Sequence, residues 1–528
     1  MSSIVHQKVG KHVYLYESIS YRNAEGKPRN KRYPVGKIDP ITGKPIYKPQ
    51  YLERMADMGH PVSLPEQSTF SLEDIQRSKI REHGTFHLLH QVADKIGLLG
   101  ALQKSMPKHW KEVFVLASYM VVTADPFLYC EQWVADAECL PVGSMSSQRI
   151  SDLLRTLTAE QRQNFYHAWC HLRSEQEYLA LDITSISSYS QLIDDVEWGY
   201  NRNNDLLPQI NLCLLMGEKS RLPVFQTIYS GSLKDVSTLD TTLSQLKAFV
   251  EDKPLRIVLD KGFFSNRNIN EMYERKHLRW IVAVPFTSNL ARKNVESERK
   301  DIDCITKTCV LSSDSVRAVT KKRSWNSKHQ MFVHVFYNPL KAAKSREALF
   351  AHVAKLKDFA LQETEQALQH KECSKYLIIR RSSSTDTRYT VSIRKDELQK
   401  QLSYAGWMVL VSNDELEAKE ALTVYREKDV VEKGFMQLKS SLNLSRLRVH
   451  SNERMFNKTF VSFISLILLS HIHQAMLEQD LYRKMTVKQM LLTLSKLRLQ
   501  EINGVRILFP LTKEQKEIFK AFDIKEPA

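Results

Sequence analysis

The segment Val424–Leu442, VYREKDVVEKGFMQLKSSL, sets carboxylates among four lysines or arginines at helical apolar spacing. Taking about 100° per residue and Tyr425 as 0°, Lys428 falls at about −60°, Glu432 at about −20° and Lys439 at about −40°, a single narrow stripe. Val424, Val431, Phe435 and Leu438 occupy the adjoining face at roughly −80° to −140°. One face packs, and the stripe beside it presents a phenol, a carboxylate and two ammonium groups. Cations so placed suit a polyanion. A carboxylate among them does not, unless it binds something else or the stripe is simply a solvated helix surface laced with ion pairs. Two further acids have matching contexts. Asp182 closes the apolar run in EYLALDITSISSYS, and Asp260 closes another in PLRIVLDKGFFS. Each alone reads as a turn or helix cap. Their recurrence at the ends of two core strands points to a shared edge.

The rest of the chain bounds what such a site can serve. It has 528 residues, enough for three or four domains, with 42% hydrophobic and 9% aromatic residues to fill their cores. A formal charge of +16 suits a polyanionic partner, because cations that neutralise phosphates gain affinity by releasing counterions. Seven cysteines without a C-x-x-C pair fit neither a disulfide framework nor a zinc knuckle and agree with a reducing cytosol. The opening MSSIVHQKVGKHVYLY lacks the apolar run of a secretory leader. The longest apolar run, FVSFISLILLSHI, is shorter than the ~20 residues of a membrane span and is expected as a buried helix, so no membrane partner is expected.

Texture changes along the chain divide it into six parts. Residues 1–70 form a small basic β-module, with a strand at KHVYLYESISY followed by a Gly-, Pro- and cation-rich turn region, NAEGKPRNKRYPVGKIDPITGKP. Residues 71–175 are helical, suited to DNA binding, dimerisation or a structural role. Residues 176–290 alternate strand and helix. EYLALDITSISSYS, LPQINLCLLM and RLPVFQTIYSG are three strands in hairpin order, STLDTTLSQLKAFVE is a crossover helix, and PLRIVLD is a strand returning parallel, an α/β arrangement with a mixed sheet. Residues 291–420 read as an inserted, mostly β subdomain with a long charged helix from about Pro339 to His370. The opening segment follows within 421–475, and 476–528 is a C-terminal helical region.

At this point a resemblance emerges. YREKDVVEKGFMQLK resembles the Y-x2-R-x3-E-x6-K signature of bacterial insertion-sequence transposases in the large family numbered four, with Tyr425, Lys428, Glu432 and Lys439 in the signature positions. LALDITSIS and IVLDKGFFS resemble the segments around that family's first and second catalytic aspartates. WGYNRNNDLLPQINLCLL and LPVFQTIYSGSLKDVSTL resemble its connecting hairpin and loop, particularly in the branch numbered sixteen thirty-four. The likeness covers about Tyr178 to His471. One departure is that Lys428 stands where the signature has arginine, which keeps the charge and loses bidentate phosphate geometry.

The resemblance implies an RNase H-like core with Asp182, Asp260 and Glu432 as catalytic and metal-binding residues. Converging carboxylates repel one another and persist together mainly where divalent cations bind them, here Mg2+ or Mn2+, with two ions expected. It implies that Tyr425, Lys428 and Lys439 contact DNA. It further implies a cut-and-paste enzyme that binds terminal inverted repeats, cleaves them and joins them to target DNA as a homodimer, in a bacterial cytoplasm and associated with the nucleoid. The carboxylate of the opening segment would then bind metal and the cations around it DNA. Trp325, in KKRSWNSK, is a stacking candidate by residue type, but a partly buried hairpin tryptophan accounts for it better, and it is not counted as a site residue. Two rival classes share the acids: a metal nuclease without strand transfer, and a DNA-binding descendant that no longer cuts.

Overall fold

The computed structural model describes residues 2–10, 12–39, 43–58, 70–172, 177–202, 205–250, 254–311, 314–381 and 389–527. The chain divides into two units: Met1–Lys79 with Glu501–Val505, and Ile80–Gln500 with Arg506–Ala528.

In the first unit, β1 (Ser2–Val9), β2 (His12–Arg22), β3 (Pro28–Ile38) and β4 (Pro45–Tyr47) form an antiparallel sheet in sequential order, followed by helices α1 (Pro49–Asp57) and α2 (Leu72–Arg77). The Gly- and Pro-rich stretch expected as a turn is therefore mostly strand, with its residues 40–42 outside the described set. Pairing decides this over composition. Register jumps from Leu15↔Gly36 to Tyr16↔Pro34, so Val35 is the extra residue of a bulge, a place where a strand tolerates proline. Val35 is buried with Leu15 and Tyr51 in the small core of this unit.

The second unit opens with strand β5 (Lys79–Glu82) and helices α3 (Gly84–Lys95), α4 (Leu98–Ser105), α5 (Trp110–Thr123), α6 (Cys130–Asp136), α7 (Ser147–Thr156) and α8 (Ala159–Leu172). The α/β part follows, with β6 (Tyr178–Ser187), β7 (Gln209–Gly217), β8 (Pro223–Ser230), α9 (Asp235–Val250), β9 (Leu255–Leu259), α10 (Asn266–Glu274) and β10 (Leu278–Ala283). Next come α11 (Asn289–Glu298), β11 (Thr308–Leu311), β12 (Asp314–Trp325), β13 (His329–Tyr337), α12 (Pro339–Gln362), α13 (Thr364–Gln369), α14 (Lys371–Tyr376), β14 (Leu377–Arg381), β15 (Tyr389–Ile393), α15 (Lys395–Leu402) and β16 (Trp407–Ser412). The chain finishes with α16 (Ala418–Glu427), α17 (Asp429–Met436), α18 (Asn452–Glu478), α19 (Val487–Leu494), β17 (Arg498–Ile502), β18 (Val505–Leu508) and α20 (Lys513–Ala521). The C-terminal stretch TVKQMLLTLSKLRLQEI is thus a helix only to Leu494, and continues as a strand.

Nine strands form one mixed sheet, ordered β11-β12-β13-β16-β10-β9-β6-β7-β8. β6 is antiparallel to β7 and parallel to β9, and β10 is parallel to β9. Segment 291–420 is less uniformly β than its texture suggests. Its strands β11–β13 and β16 continue the central sheet, because β16 pairs with both β10 and β13. Its helices α12 and α14 close with β14 around a separate core of Val353, Leu356, Ala360, Cys373 and Tyr376. Helix α18 contains the long apolar run and packs on α5 and α7. Among the described residues it is the one unbroken helix long and apolar enough to cross a membrane, and 72% of its apolar window is buried inside the protein. Phe460, Phe463, Ile464, Leu468 and Ile472 are inaccessible to solvent, each contributing about 1.5–3 kcal/mol by leaving water.

Helix α17 lies on β6 and β7, and Gly434 is what allows it so close. A Cβ there would stand 2.3 Å from Met216 Sδ and 3.2 Å from Leu214 Cδ2, both on β7 and both buried. Alanine gains up to about 1 kcal/mol of helix propensity over glycine, but overpacking a filled core costs about 1–3 kcal/mol. Gly434→Ala should therefore lower the unfolding free energy by roughly 1 kcal/mol or more in a denaturant titration. Lys433→Ala, which removes an exposed i,i+4 partner of Asp429, should shift it by less than about 0.5 kcal/mol.

Candidate active site

Strand β6 is buried at nine of its ten positions, the exception being Asp182. The strand does not end there, as the sequence suggests, but runs on to Ser187 paired with β7. What ends is its other neighbour. The parallel register aligns Leu181 with Leu259, the last residue of β9, so Asp182 and Asp260 follow side by side at the point where the β9 ladder stops. Neighbouring strands lie about 4.8 Å apart.

Each aspartate has its own donor. The Asp182 side chain is 13% exposed, and its Oδ1 accepts from the Ile183 N–H (2.8 Å) and from Arg202 Nη1 (3.3 Å). The other arm of the Arg202 guanidinium donates to Asp235, at the start of α9. Burial pushes the Asp182 carboxyl above its ordinary range, opposed by the charges of Arg202 and Lys428 and reinforced by that of Asp260. The Asp235 carboxyl is likewise pushed up by burial, against Arg202. Asp260 Oδ1 accepts from the Tyr425 hydroxyl at 2.9 Å. Burial raises that phenol far above its ordinary range, and the Asp260 charge adds to the rise, so it stays a donor.

The opening segment is not one straight helix. Lys428 sits between α16 and α17, where the bonds Lys428 N–H to Tyr425 O and Val431 N–H to Lys428 O span three residues instead of four, and a π-helical turn follows at Gln437–Ser441. The tightened junction turns Lys428 inward. Its side chain is 7% exposed and reaches Glu432 at 3.4 Å, whereas Glu432 itself is 64% exposed. The later turn carries Lys439 over β6, where its Nζ donates to Thr184 Oγ1 at 2.7 Å. Thr184 is two residues beyond Asp182 and so on the same face of the sheet. Burial, with help from the Arg202 charge, lowers the Lys439 ammonium to about 8.

All six residues singled out in the sequence thus belong to one neighbourhood. Asp260, Tyr425, Lys428 and Glu432 line an open cleft of about 630 Å³, together with Phe286 and Trp407, and Asp182 adjoins Asp260 across the strand register. Tyr425 and Lys428, given DNA contacts by the resemblance, are engaged with acids of the site itself. Among the described residues no three His, Cys, Asp or Glu groups already converge as a metal cage, because each acid is turned to its own partner. Sequence reasoning missed Arg202 and Asp235. Arg202 lies in a polar loop with no periodicity, and Asp235 carries only the ordinary signal of a helix start. Trp325, on the β12–β13 hairpin, donates Nε1 to Asn270 Oδ1 at 2.7 Å and is held within the structure.

The sequence profile described as "Transposase DDE domain" matches residues 173–468. The chain belongs to that family of transposases. The match spans all three acids and runs from β6 into α18. No curated protein matches the chain. Among solved structures, a cryo-electron microscopy structure of the piggyBac transposase synaptic complex with hairpin DNA matches 77% of this chain and 70% of its own, at 11% identity and a TM-score of 0.35. So distant a likeness supports no residue assignment in this transposase.

The lowered Lys439 ammonium gives a pH test. A lysine with its pKa near 8 is charged below that pH and neutral above it, so any phosphate contact it makes weakens as pH rises through about 8. In binding titrations at pH 7 and pH 9, DNA affinity should fall at the higher pH and the slope of log K against log salt become shallower by about one counterion's contribution, roughly 0.9. Lys439→Arg, which stays charged, should flatten that dependence.

Proposed function

We propose that this DDE transposase binds the terminal inverted repeats of an insertion sequence, cleaves their phosphodiesters and joins the freed 3′ hydroxyls to target DNA. Its sheet and acid-bearing helix are read as an RNase H-like core of the insertion-sequence type. The observation that carries this reading is the side-by-side placement of Asp182 and Asp260 at the end of β9, with Asp260 on the cleft that Glu432 also lines. Two carboxylates so close, one of them largely buried, call for a cation between them.

The donor set fits a divalent ion. Asp182 and Asp260 are fixed by strand register, and the mostly exposed Glu432 has, among the described residues, a single 3.4 Å contact with Lys428, worth at most about 1 kcal/mol and readily exchanged. Asp182, Asp260 and Glu432 would hold Mg2+ or Mn2+, one ion or two. Bound there, the metal supplies Lewis-acid stabilisation of the charge that develops on the transferring phosphate. The chain's own residues do the rest. Tyr425 fixes the Asp260 carboxylate, Arg202 orients Asp182 from the opposite side, and Lys439 presents a cation on the same face two residues along β6. Lys428, buried between Asp182 and Glu432, balances their charge when metal is absent. The transposase is proposed to act on two DNA ends as a homodimer.

Duplexes taken from the DNA flanking the coding sequence, end-labelled and incubated with the protein and Mg2+, should yield nicked or cut ends and, with a target plasmid, joined products. Asp182→Ala, Asp260→Ala and Glu432→Ala should each reduce cleavage by at least about 10³-fold, equal to about 4 kcal/mol of barrier, while end binding changes less than threefold. Cleavage without joined products would select the nuclease reading. Full cleavage by any of the three variants would remove that acid from the site.

A further inference from the structure

Arg202 stands outside the signature segment, in the loop between β6 and β7, yet its guanidinium spans two carboxylates at the site. Nη1 lies 3.3 Å from Asp182 Oδ1, and Nη2 donates to Asp235 Oδ2 at closer range. One cation between two carboxylates leaves a negative charge unbalanced. The two contacts are also unequal, and the tighter one belongs to the acid that lies on a helix instead of on the sheet.

Both acids and the loop are anchored, so the Arg202 side chain is the part of this bridge with freedom to move. Asp235 opens α9, where the helix dipole favours a negative charge. The start of that helix is tied to the Asp260 segment by the buried Asn268, whose Nδ2 donates to Val236 O at 2.9 Å and to Phe263 O at 2.8 Å. Gly262 leaves room for the carboxylate beside it, since a Cβ there would stand 3.0 Å from Asp235 Oδ2. On the loop, Tyr200 O accepts from Ser185 Oγ at 3.3 Å and from Gln209 Nε2 at 2.9 Å. Asn201 Nδ2 donates to Ser187 Oγ at 3.1 Å, and Asp205 accepts from Ser187 Oγ at 2.9 Å and from Arg446 Nη1 at 2.6 Å. Backbone on both sides of Arg202 is therefore pinned to the end of β6, while its side chain is 30% exposed.

A guanidinium on Asp182 supplies the positive charge that a divalent cation would otherwise bring. The two compete for one carboxylate. A single 3.3 Å contact is easily given up, and the planar fork of arginine lets it keep Asp235 while releasing Asp182. With Asp235 uncharged, the same guanidinium would have Asp182 as its one remaining acid in this bridge and would be harder to displace.

We propose that Arg202 is a positioning residue that neutralises Asp182 while the centre is empty and is passed wholly to Asp235 when a divalent cation takes its place, so that Asp235 sets how readily the centre fills without itself binding the cation. The proposal rests on the metal reading above, but its test needs neither DNA nor cleavage. Mn2+ alone is titrated into the full-length protein, free Mn2+ being followed by electron paramagnetic resonance, and the site of interest is the one that Asp260→Ala removes. Arg202→Gln should tighten that site and Asp235→Asn should loosen it, each by at least about threefold, the scale of coupling between groups in contact. The double variant decides the cause. Without Arg202 there is nothing for Asp235 to hold, so Arg202→Gln/Asp235→Asn should bind Mn2+ within about twofold of Arg202→Gln alone. Should Arg202→Gln fail to fold, Arg202→Met, which keeps the length of the stem and loses the charge, takes its place in the same comparison. Loosening in both single variants would make the bridge merely structural and overturn the proposal. A double variant in which the two single effects simply add would mean that Asp235 acts through its own charge or as a ligand, and would overturn it too while leaving the metal centre in place. Mn2+ binding that Asp260→Ala leaves unchanged would overturn the metal reading, and the exchange of Arg202 with it.

Discussion

The repulsion between Asp182 and Asp260 is the constraint on which the rest of the site depends. Parallel pairing of β6 with β9 sets them on neighbouring strands, and two like charges at about 5 Å cost about 3 kcal/mol at an effective dielectric of ~20. The sheet itself offers Asp182 the Ile183 N–H, while the side chains of Leu181, Ile183, Val258 and Leu259 around the two acids are buried hydrocarbon. The surrounding elements supply relief. A loop brings Arg202 to Asp182, α16 brings the Tyr425 hydroxyl to Asp260, and the α16–α17 junction brings Lys428 between Asp182 and Glu432. Without metal, the site is an arrangement of carboxylates each held by a separate donor.

That arrangement explains why the cations of the signature segment are less exposed than a DNA-binding stripe would be. Lys428 is almost wholly covered, and Lys439 is buried enough for its ammonium to be weakened to about 8. Lys428 is held on Glu432 at 3.4 Å and Lys439 on Thr184 at 2.7 Å. Gly434 serves the same end from the packing side, since the contact it permits between α17 and β7 fixes the height of Glu432 above the sheet.

Much of this was legible in the chain. Apolar runs ending in aspartate identified β6 and β9, and their hairpin-crossover order implied the parallel pairing that brings the acids together. The single helical stripe was legible only in part. Uniform 100° steps place Lys428 on an exposed face, whereas three-residue hydrogen bonds at the junction turn it inward, and no residue there announces the change as a proline would. Arg202 was invisible because its role depends on where a loop crosses the sheet. In segment 291–420 alternation showed strands, but not that β16 would pair with β10 and so extend the central sheet. In the N-terminal unit, the turn-like composition around Pro28–Ile38 yields to pairing with β2.

The central claim is that Asp182, Asp260 and Glu432 form one cation-binding centre once Glu432 leaves Lys428. Anomalous diffraction from crystals of the transposase grown with Mn2+ tests it most directly. The account predicts manganese density within coordination distance of all three carboxylates, with Glu432 turned away from Lys428. Ordered manganese at other acids, with Glu432 still on Lys428 and Arg202 still on Asp182, would contradict it.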